Sequence, residues 1–447
     1  MKIKTLSRSA APPGEGALKQ PRNLDPSHHP FERAREYTRA LNAVKMERMF
    51  ASPFVTDLGS GHVDGVYTMA KDPSSLSHFA SGSGDGVIKV WDLPSREETI
   101  QAKAHDNIVK GLCWSPSSHL ISCAADKTIK IWSPYDLSST KRPTPLNTYL
   151  TSTATNSVTH HRTSPLIAAS GSSPTISLYD TSRPSSTPSQ TLAYPTASDT
   201  ITCVRFNQSE TSILASTSLD RSITLYDLRT SSPLSRTILT LSSNSISWNP
   251  MEPFNFATAS EDHNIYIFDM RNLSRSLNVL KDHVAAVMDV DFSPTGEELV
   301  SASYDRTIRL WNRDRGHSRD VYHTKRMQRV FSCQYTPDNK YILSGSDDGN
   351  IRLWRANASE RSGIKSARQR QKLEYDAALI KRYAHMPEIR RIKRHRHVPK
   401  TIKKAGEIKG EELGSIKRKE ENVRKHAGQN KPKRRSEREK MVLQADK

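Results

Sequence analysis

Seven times along this chain an aromatic residue falls six positions after a turn: Trp91, Trp132, Tyr179, Tyr226, Phe268, Trp311 and Trp354. The intervals are 41, 47, 47, 42, 43 and 43 residues. In six units an Asp opens the turn (Asp85, Asp126, Asp220, Asp262, Asp305, Asp348); the third unit has Ser173 there. A period of about 40–45 residues built from short β segments is the sequence pattern of a β-propeller, one blade per repeat. A blade cannot bury both faces alone, so the repeats must close into one ring. The expected class is therefore all-β: a seven-bladed propeller over residues 53–354, with an N-terminal extension (1–52) and a basic helical C-terminal extension (355–447).

The 447 residues carry a formal charge of +20, unevenly spread. Lys/Arg against Asp/Glu runs 10 to 6 over residues 1–60, 28 to 29 over 61–354 and 29 to 12 over 355–447. A neutral body with a polycationic appendage predicts a polyanionic partner, most often nucleic acid. The four cysteines, Cys113, Cys123, Cys203 and Cys333, form no CxxC pair and fall in predicted strands, which favours inert buried thiols in a reducing compartment. No apolar run is long enough to span a membrane, and the N-terminus lacks the apolar stretch of a secretory signal.

Residues 1–30 read as extended or disordered, and 31–50 as a helix with an apolar stripe of Phe31, Ala34, Tyr37, Leu41 and Val44, suited to the propeller wall. The segment Phe54–Leu58 reads as a stray strand that completes the last blade and hides its edge. After Trp354 three helices are expected: Ser366–Tyr383, one opened by Pro387 and ended before Pro399, and one from Lys400 to His426 weakened by Gly406, Gly410 and Gly414. Their apolar content is low, so they should order mainly against the propeller or a partner.

The units resemble WD repeats. That resemblance implies a buried hydrogen-bond chain in the complete units: His62, Ser81, Asp85 and Trp91; His105, Ser122, Asp126 and Trp132; His283, Ser301, Asp305 and Trp311; His323, Ser344, Asp348 and Trp354. These histidines then fix blade geometry and are neither ligands nor catalysts. Units three to five lack the full set and should lean on apolar packing, unit three being the least stable.

Basic clusters mark the tail: Arg390, Arg391, Lys393, Arg394 and Arg396; Lys417 and Arg418; Lys431, Lys433, Arg434 and Arg435. Each suits phosphate contact or nuclear targeting. With Tyr375 and Tyr383 the only aromatics there, backbone contact with folded RNA or DNA is a better expectation than base stacking. Apart from Glu388, His385, His395 and His397 have no cysteine or carboxylate at ligand spacing, so no metal site or cofactor is expected. No HExxH, GxxxxGK[ST] or GxSxG pattern occurs, and no catalytic residue is assigned.

Two further stretches, Pro21–Val55 and Glu360–Ala405, closely resemble the suppressor-of-fibrillarin WD-repeat family. The resemblance covers essentially the whole chain. It implies a non-catalytic nucleolar scaffold of the small-subunit processome, associated with the U3 small nucleolar ribonucleoprotein and pre-ribosomal RNA and needed for processing towards 18S rRNA. A competing function has residues behind it too. Tyr226-Asp227-Leu228-Arg229 and Phe268-Asp269-Met270-Arg271 resemble the WDxR box, whose Arg contacts the adaptor in substrate receptors of cullin-four RING ligases. Arg229 and Arg271 are the expected adaptor contacts. No membrane and no small-molecule substrate is expected.

Overall fold

The computed structural model describes residues 25–133, 144–183, 187–230, 232–360, 363–428 and 431–446. Most of the expected extended or disordered segment 1–30, and part of the Ser/Pro-rich stretch in unit three, lie outside them. The chain forms two compact units: Met1–Pro53 with Asn357–Arg396, and Phe54–Ala356 with His397–Lys447. The basic tail thus contributes to both.

The larger unit is a seven-bladed propeller, each blade an antiparallel sheet, of consecutive strands except where a distant strand joins blades four and seven. Blade one, for example, runs Val66–Lys71, His78–Ser83, Val87–Asp92 and Glu97–Lys103. Strand alternation decides the packing: in each blade the apolar residues of one face meet those of the next. Ile121, Ile129, Tyr149, Ile167 and Tyr179 form such a layer between blades two and three. The early strand Phe54–Asp57 pairs with Ile351–Arg355 of blade seven, Phe54 opposite Trp354 and Asp57 opposite Arg352. Closure is therefore non-covalent, and the edge of the last blade is covered.

The recurrent Asp is a turn former first. Asp85, Asp126, Asp220, Asp262, Asp305 and Asp348 each accept at Oδ1 the amide two residues on. That closes a tight turn whose next residue is left-handed: φ is 81° at Gly86, 64° at Lys127, 67° at Arg221, 70° at His263, 62° at Arg306 and 76° at Gly349. Blade three has Ser173-Pro174 instead. Proline cannot take a positive φ, and Ser173 Oγ lies 3.1 Å from Thr175 Oγ1.

The hydrogen-bond chain is complete in two blades. In blade two Trp132 Nε1 donates to Ser122 Oγ (2.9 Å), which meets His105 Nε2 (2.7 Å), and His105 Nδ1 reaches Asp126 (2.8 Å). Blade six repeats it through Trp311, Ser301, His283 and Asp305 at 2.8, 2.7 and 2.8 Å. Burial pushes the His283 pKa down; Asp305 lies below the usual carboxylate range because contacts from His283, Arg309 and Thr307 outweigh its own burial.

Two expected quartets are corrected. In blade one Trp91, Ser81 and His62 are linked (2.7 Å each), but His62 Nδ1 is buried without a partner and Asp85 stays on its turn. In blade seven Trp354 donates to Ser344 (2.8 Å), but His323 is absent from the chain and its Nε2 lies 3.3 Å from the His397 carbonyl. The reason is spacing: His62, His105 and His283 precede their innermost strands by four residues, whereas His323 precedes Val330 by seven. Arg352 fills the gap, its Nη2 2.5 Å from Asp348.

Where His is missing, other groups hold the turn carboxylate. Arg236 Nη2 lies 2.7 Å from Asp220 in blade four, both nearly buried. In blade five the Tyr266 hydroxyl donates to Asp262. Blade four also gains a fifth strand, Val442–Asp446, antiparallel to its outer strand Pro233–Leu239. Met441 and Val442 bury themselves among Leu239, Ile246 and Phe256, in the layer shared by blades four and five.

The smaller unit is helical: α1 (Glu32–Met49), α2 (Ala367–Arg382) and α3 (Pro387–Arg394). Ser366 opens α2 with a capping box to Gln369, and Pro387 opens α3 at a position where no amide is needed. The stripe on α1 meets these helices: Ala40 and Val44 pack with Leu379, Ile380, Tyr383 and Ile389. The stripe of α1, expected to suit the propeller wall, packs against this helix pair, so these two tail helices find their partner in the N-terminal extension, while the helix Lys400–His426 belongs to the propeller unit. Neither chain end has enough apolar surface alone; together they make a small core. Phe31 and Ala34, expected in the stripe, are exposed, and Ala40, outside the expected set, is buried.

Candidate interaction surfaces

On α3, Ile389 is buried and Ile392 packs beside it, so the intervening residues must point away. Arg390, Arg391, Lys393 and Arg394 are all exposed. Arg396 is committed differently: its Nη1 donates to the carbonyls of Lys393 (2.6 Å) and His395 (3.1 Å). Arg48 of α1 donates to the same Lys393 carbonyl at 2.9 Å. Two guanidinium groups thus satisfy the C-terminal end of α3, where orphan carbonyls and the helix dipole favour positive charge. The unit is further tied by Glu36, which accepts from Arg382 (3.0 Å) and the Tyr383 hydroxyl (2.8 Å). Arg48 was not among the expected site residues; its local sequence carries no sign of a partner some 345 residues away.

The remaining tail belongs to the propeller unit. Along α4 (Lys400–His426), Lys409 Nζ donates to the His283 carbonyl at 2.8 Å. Burial lowers the Lys409 pKa from its ordinary value, against the pull of Asp262 and Asp305. Beyond the helix, Glu437 pairs with Lys281, Lys440 Nζ lies 2.6 Å from Glu420, and the Ser276 amide donates to the Arg438 carbonyl at 3.0 Å. These contacts, and the added strand, tie the C-terminal strap to blades four, five and six. Of the expected polyanion contacts here, Lys417 is exposed and 3.7 Å from Glu437, while Arg418, Lys431, Lys433, Arg434 and Arg435 are exposed.

Arg229 and Arg271 occupy equivalent turns of consecutive blades. Each guanidinium grips its own Asp with two nitrogens: Arg229 on Asp227 at 3.2 and 3.0 Å, Arg271 on Asp269 at 3.0 and 2.8 Å. The side chains remain 75% and 64% exposed. The fork is therefore held in place by the carboxylate and still presented to solvent, an arrangement suited to a protein contact.

All four cysteines are buried and unpaired, and burial pushes the Cys113 and Cys123 thiols up to about 12. Among the described residues no group of three or more His, Cys, Asp or Glu is placed to hold a metal ion, and no helix is long and apolar enough to cross a membrane.

With this geometry in hand, comparison with known proteins decides the family. The model of the WD domain (G-beta repeat) matches residues 54–92, 97–133, 186–227, 237–269, 274–312 and 316–355, and the Sof1-like domain matches residues 356–442. Protein SOF1 of Saccharomyces cerevisiae is 52% identical over 95% of this chain and 91% of its own length. The chain belongs to the Sof1 family of WD-repeat proteins. Protein sof1 of Schizosaccharomyces pombe is also 52% identical, over 96% of this chain and 95% of its own. DDB1- and CUL4-associated factor 13 of Danio rerio is 44% identical over 96% of both chains. Membership makes the protein a WD-repeat scaffold and not an enzyme. The matched repeats skip residues 134–185, where blade three lacks the Asp turn and the His chain. The Sof1-like match spans both the α2–α3 pair and the strap of the propeller unit.

Proposed function

We propose that this Sof1-family protein is a ribosome-biogenesis factor of the nucleus and nucleolus. In this reading it is a scaffold in the small-subunit processome, associated with the U3 ribonucleoprotein and with pre-rRNA on the way to 18S rRNA. The observation that carries the reading is the Sof1-like region itself: a stretch of net charge +16 that leaves Arg390, Arg391, Lys393 and Arg394 exposed on one short anchored helix. Self-repulsion at that charge density is relieved by a polyanion, and phosphate contacts of this kind weaken steeply with salt. Replacing those four residues by Glu leaves Ile389 and Ile392 in place and should preserve the fold. Sedimentation with large pre-ribosomal particles should be lost and 18S precursors should accumulate while large-subunit rRNA is spared. Normal processing with a normal gradient profile would refute the reading.

A second role is favoured by Arg229 and Arg271. Relatives at 42–44% identity bear the name DDB1- and CUL4-associated factor 13, and the two exposed Asp-held forks suit an adaptor surface. Arg229→Ala with Arg271→Ala should abolish binding to purified adaptor without changing particle association; adaptor binding that survives both changes would reject this mode.

A further inference from the structure

The innermost strand of every blade carries an irregularity at its second residue, where the ladder register shifts. Bulges of this kind re-aim a side chain. In blades three, four and five the re-aimed residue reaches the next blade's backbone: Asn156 to the Ile201 carbonyl (3.0 Å), Thr202 to Ser243 (2.8 Å) and Asn244 to Val287 (3.0 Å). At the closing seam the pattern changes. The same positions in blades one and seven are Tyr67 and Phe331, whose rings stack 4.7 Å apart at 18°. Tyr304 of blade six meets Phe331 edge-on at 5.8 Å and is 38% exposed.

Two carboxylates close around these rings. A Cβ on Gly84 would stand 2.3 Å from Asp64 Oδ2 and 3.0 Å from Tyr67 Cε2, and one on Gly65 3.2 Å from Asp347 Oδ1. Asp64 Oδ1 caps the Gly65 amide (2.7 Å). Both carboxylates are exposed. The Tyr67 phenol is held above its ordinary pKa, by burial first and then by Asp64 and Asp347, which places both acids within electrostatic reach of the ring. One of these rings already carries a cation, since the Arg329 guanidinium lies over Tyr304 at 5.4 Å.

We propose that this seam of blades six, seven and one is a docking site for an arginine- or lysine-bearing extended peptide of a partner protein, the cation seated between the Tyr67–Phe331–Tyr304 rings and the carboxylates of Asp64 and Asp347. The choice of occupant follows from charge: ring faces and carboxylates are both negative, and aromatic rings beside acids favour a guanidinium or ammonium over phosphate. The site is independent of the basic tail and of the ribosomal reading.

The test uses the full chain and fluorescein-labelled dodecapeptide pools of Gly, Ser and Leu around one central residue: arginine, citrulline or glutamate. Anisotropy should show the arginine pool binding about tenfold tighter than the citrulline pool, as expected for a desolvated cation on aromatic rings and carboxylates. Asp64→Asn with Asp347→Asn should erase that preference; Asn keeps the acceptor for the Gly65 turn. Tyr304→Ala, at an exposed position, should weaken binding several-fold with an unchanged melting temperature and serves if the double variant is unstable. Equal binding of arginine and citrulline pools overturns the proposal, as does unchanged affinity in the variants. Displacement of the arginine pool by oligouridylate that Asp64→Asn with Asp347→Asn does not weaken would assign the surface to RNA and overturn it as well.

Discussion

In blade six the turn carboxylate of Asp305 is held by His283, whose second nitrogen reaches Ser301 and through it the indole of Trp311. In blade four the carboxylate of Asp220 is held by Arg236, Tyr226 stands where the Trp would be, and the sheet is extended by a strand some 200 residues further along the chain. The turn is the same, closed by the Asp and a left-handed residue. What differs is the reach of the support. In blade six the network around the turn carboxylate is drawn from its own repeat, whereas blade four relies on an ion pair and on a strand from the chain's C-terminal strap. A repeat that loses its internal network can therefore persist if another part of the chain takes over, at the cost of coupling that part to the ring.

The largest effect should come from cutting that coupling. Deleting residues 437–447 removes the fifth strand together with the buried Met441 and Val442, a loss of about 4–6 kcal/mol from apolar burial and ladder hydrogen bonds. Denaturant unfolding should show it, with hydrogen exchange rising first in Pro233–Leu239. A variant whose blades four and five stay as protected as blade six would break the comparison. Next comes Arg236→Ala, which strands a nearly buried Asp220 and should cost about 3–5 kcal/mol, whereas Arg236→Met with Asp220→Asn should cost much less. Equal losses in the two would mean that the pair contributes only packing.

A pH profile separates blade one from the rest. His62 is held at about 4, against an ordinary 6.5, by burial and then by Lys89. Its folded pKa is depressed, so the unfolded chain binds the extra proton first. Stability is fully present above pH 6.5 and is lost as pH falls towards 4, by about 3 kcal/mol from this residue. His105 and His283 shift in the same direction, each with an Asp opposing the shift. His62→Asn should flatten the acid limb of the stability curve; an unchanged limb would place the acid sensitivity elsewhere.

Much of this was legible in the chain. The period located seven blades, the Asp positions located the turns, and Phe54–Asp57 was recognisable as the closing strand because it stood outside the repeats. The helices α2, α3 and α4 follow from prolines and composition. Apart from that closing strand, which the ring topology requires, local pattern could not convey pairing across hundreds of residues. The stripe on α1 was visible, but a stripe does not name its partner, and α2 with α3 provides it. Val442–Asp446 is too short and too charged in its surroundings to read as a strand; it acquires that state from the open edge of blade four. His323 was misplaced because its residue type fits the repeat while its distance to Val330 does not.

The smallest effect is the sharpest discriminator. In blade six Ser301 Oγ links His283 to Trp311, and Ser301→Ala would leave two buried nitrogens unsatisfied, costing about 2–4 kcal/mol. Thr258 holds the matching place in blade five, opposite Tyr266 in the ladder, yet its buried Oγ1 has no partner. Thr258→Val replaces a hydroxyl that makes no bond by a methyl of the same shape. Stability should be unchanged or rise by up to about 1 kcal/mol, since the desolvation cost of the hydroxyl disappears. Equilibrium unfolding of the two variants side by side measures the contrast. A loss at Thr258 comparable to that at Ser301 would show that the polar contacts of blade five extend beyond the Tyr266–Asp262 pair to Thr258.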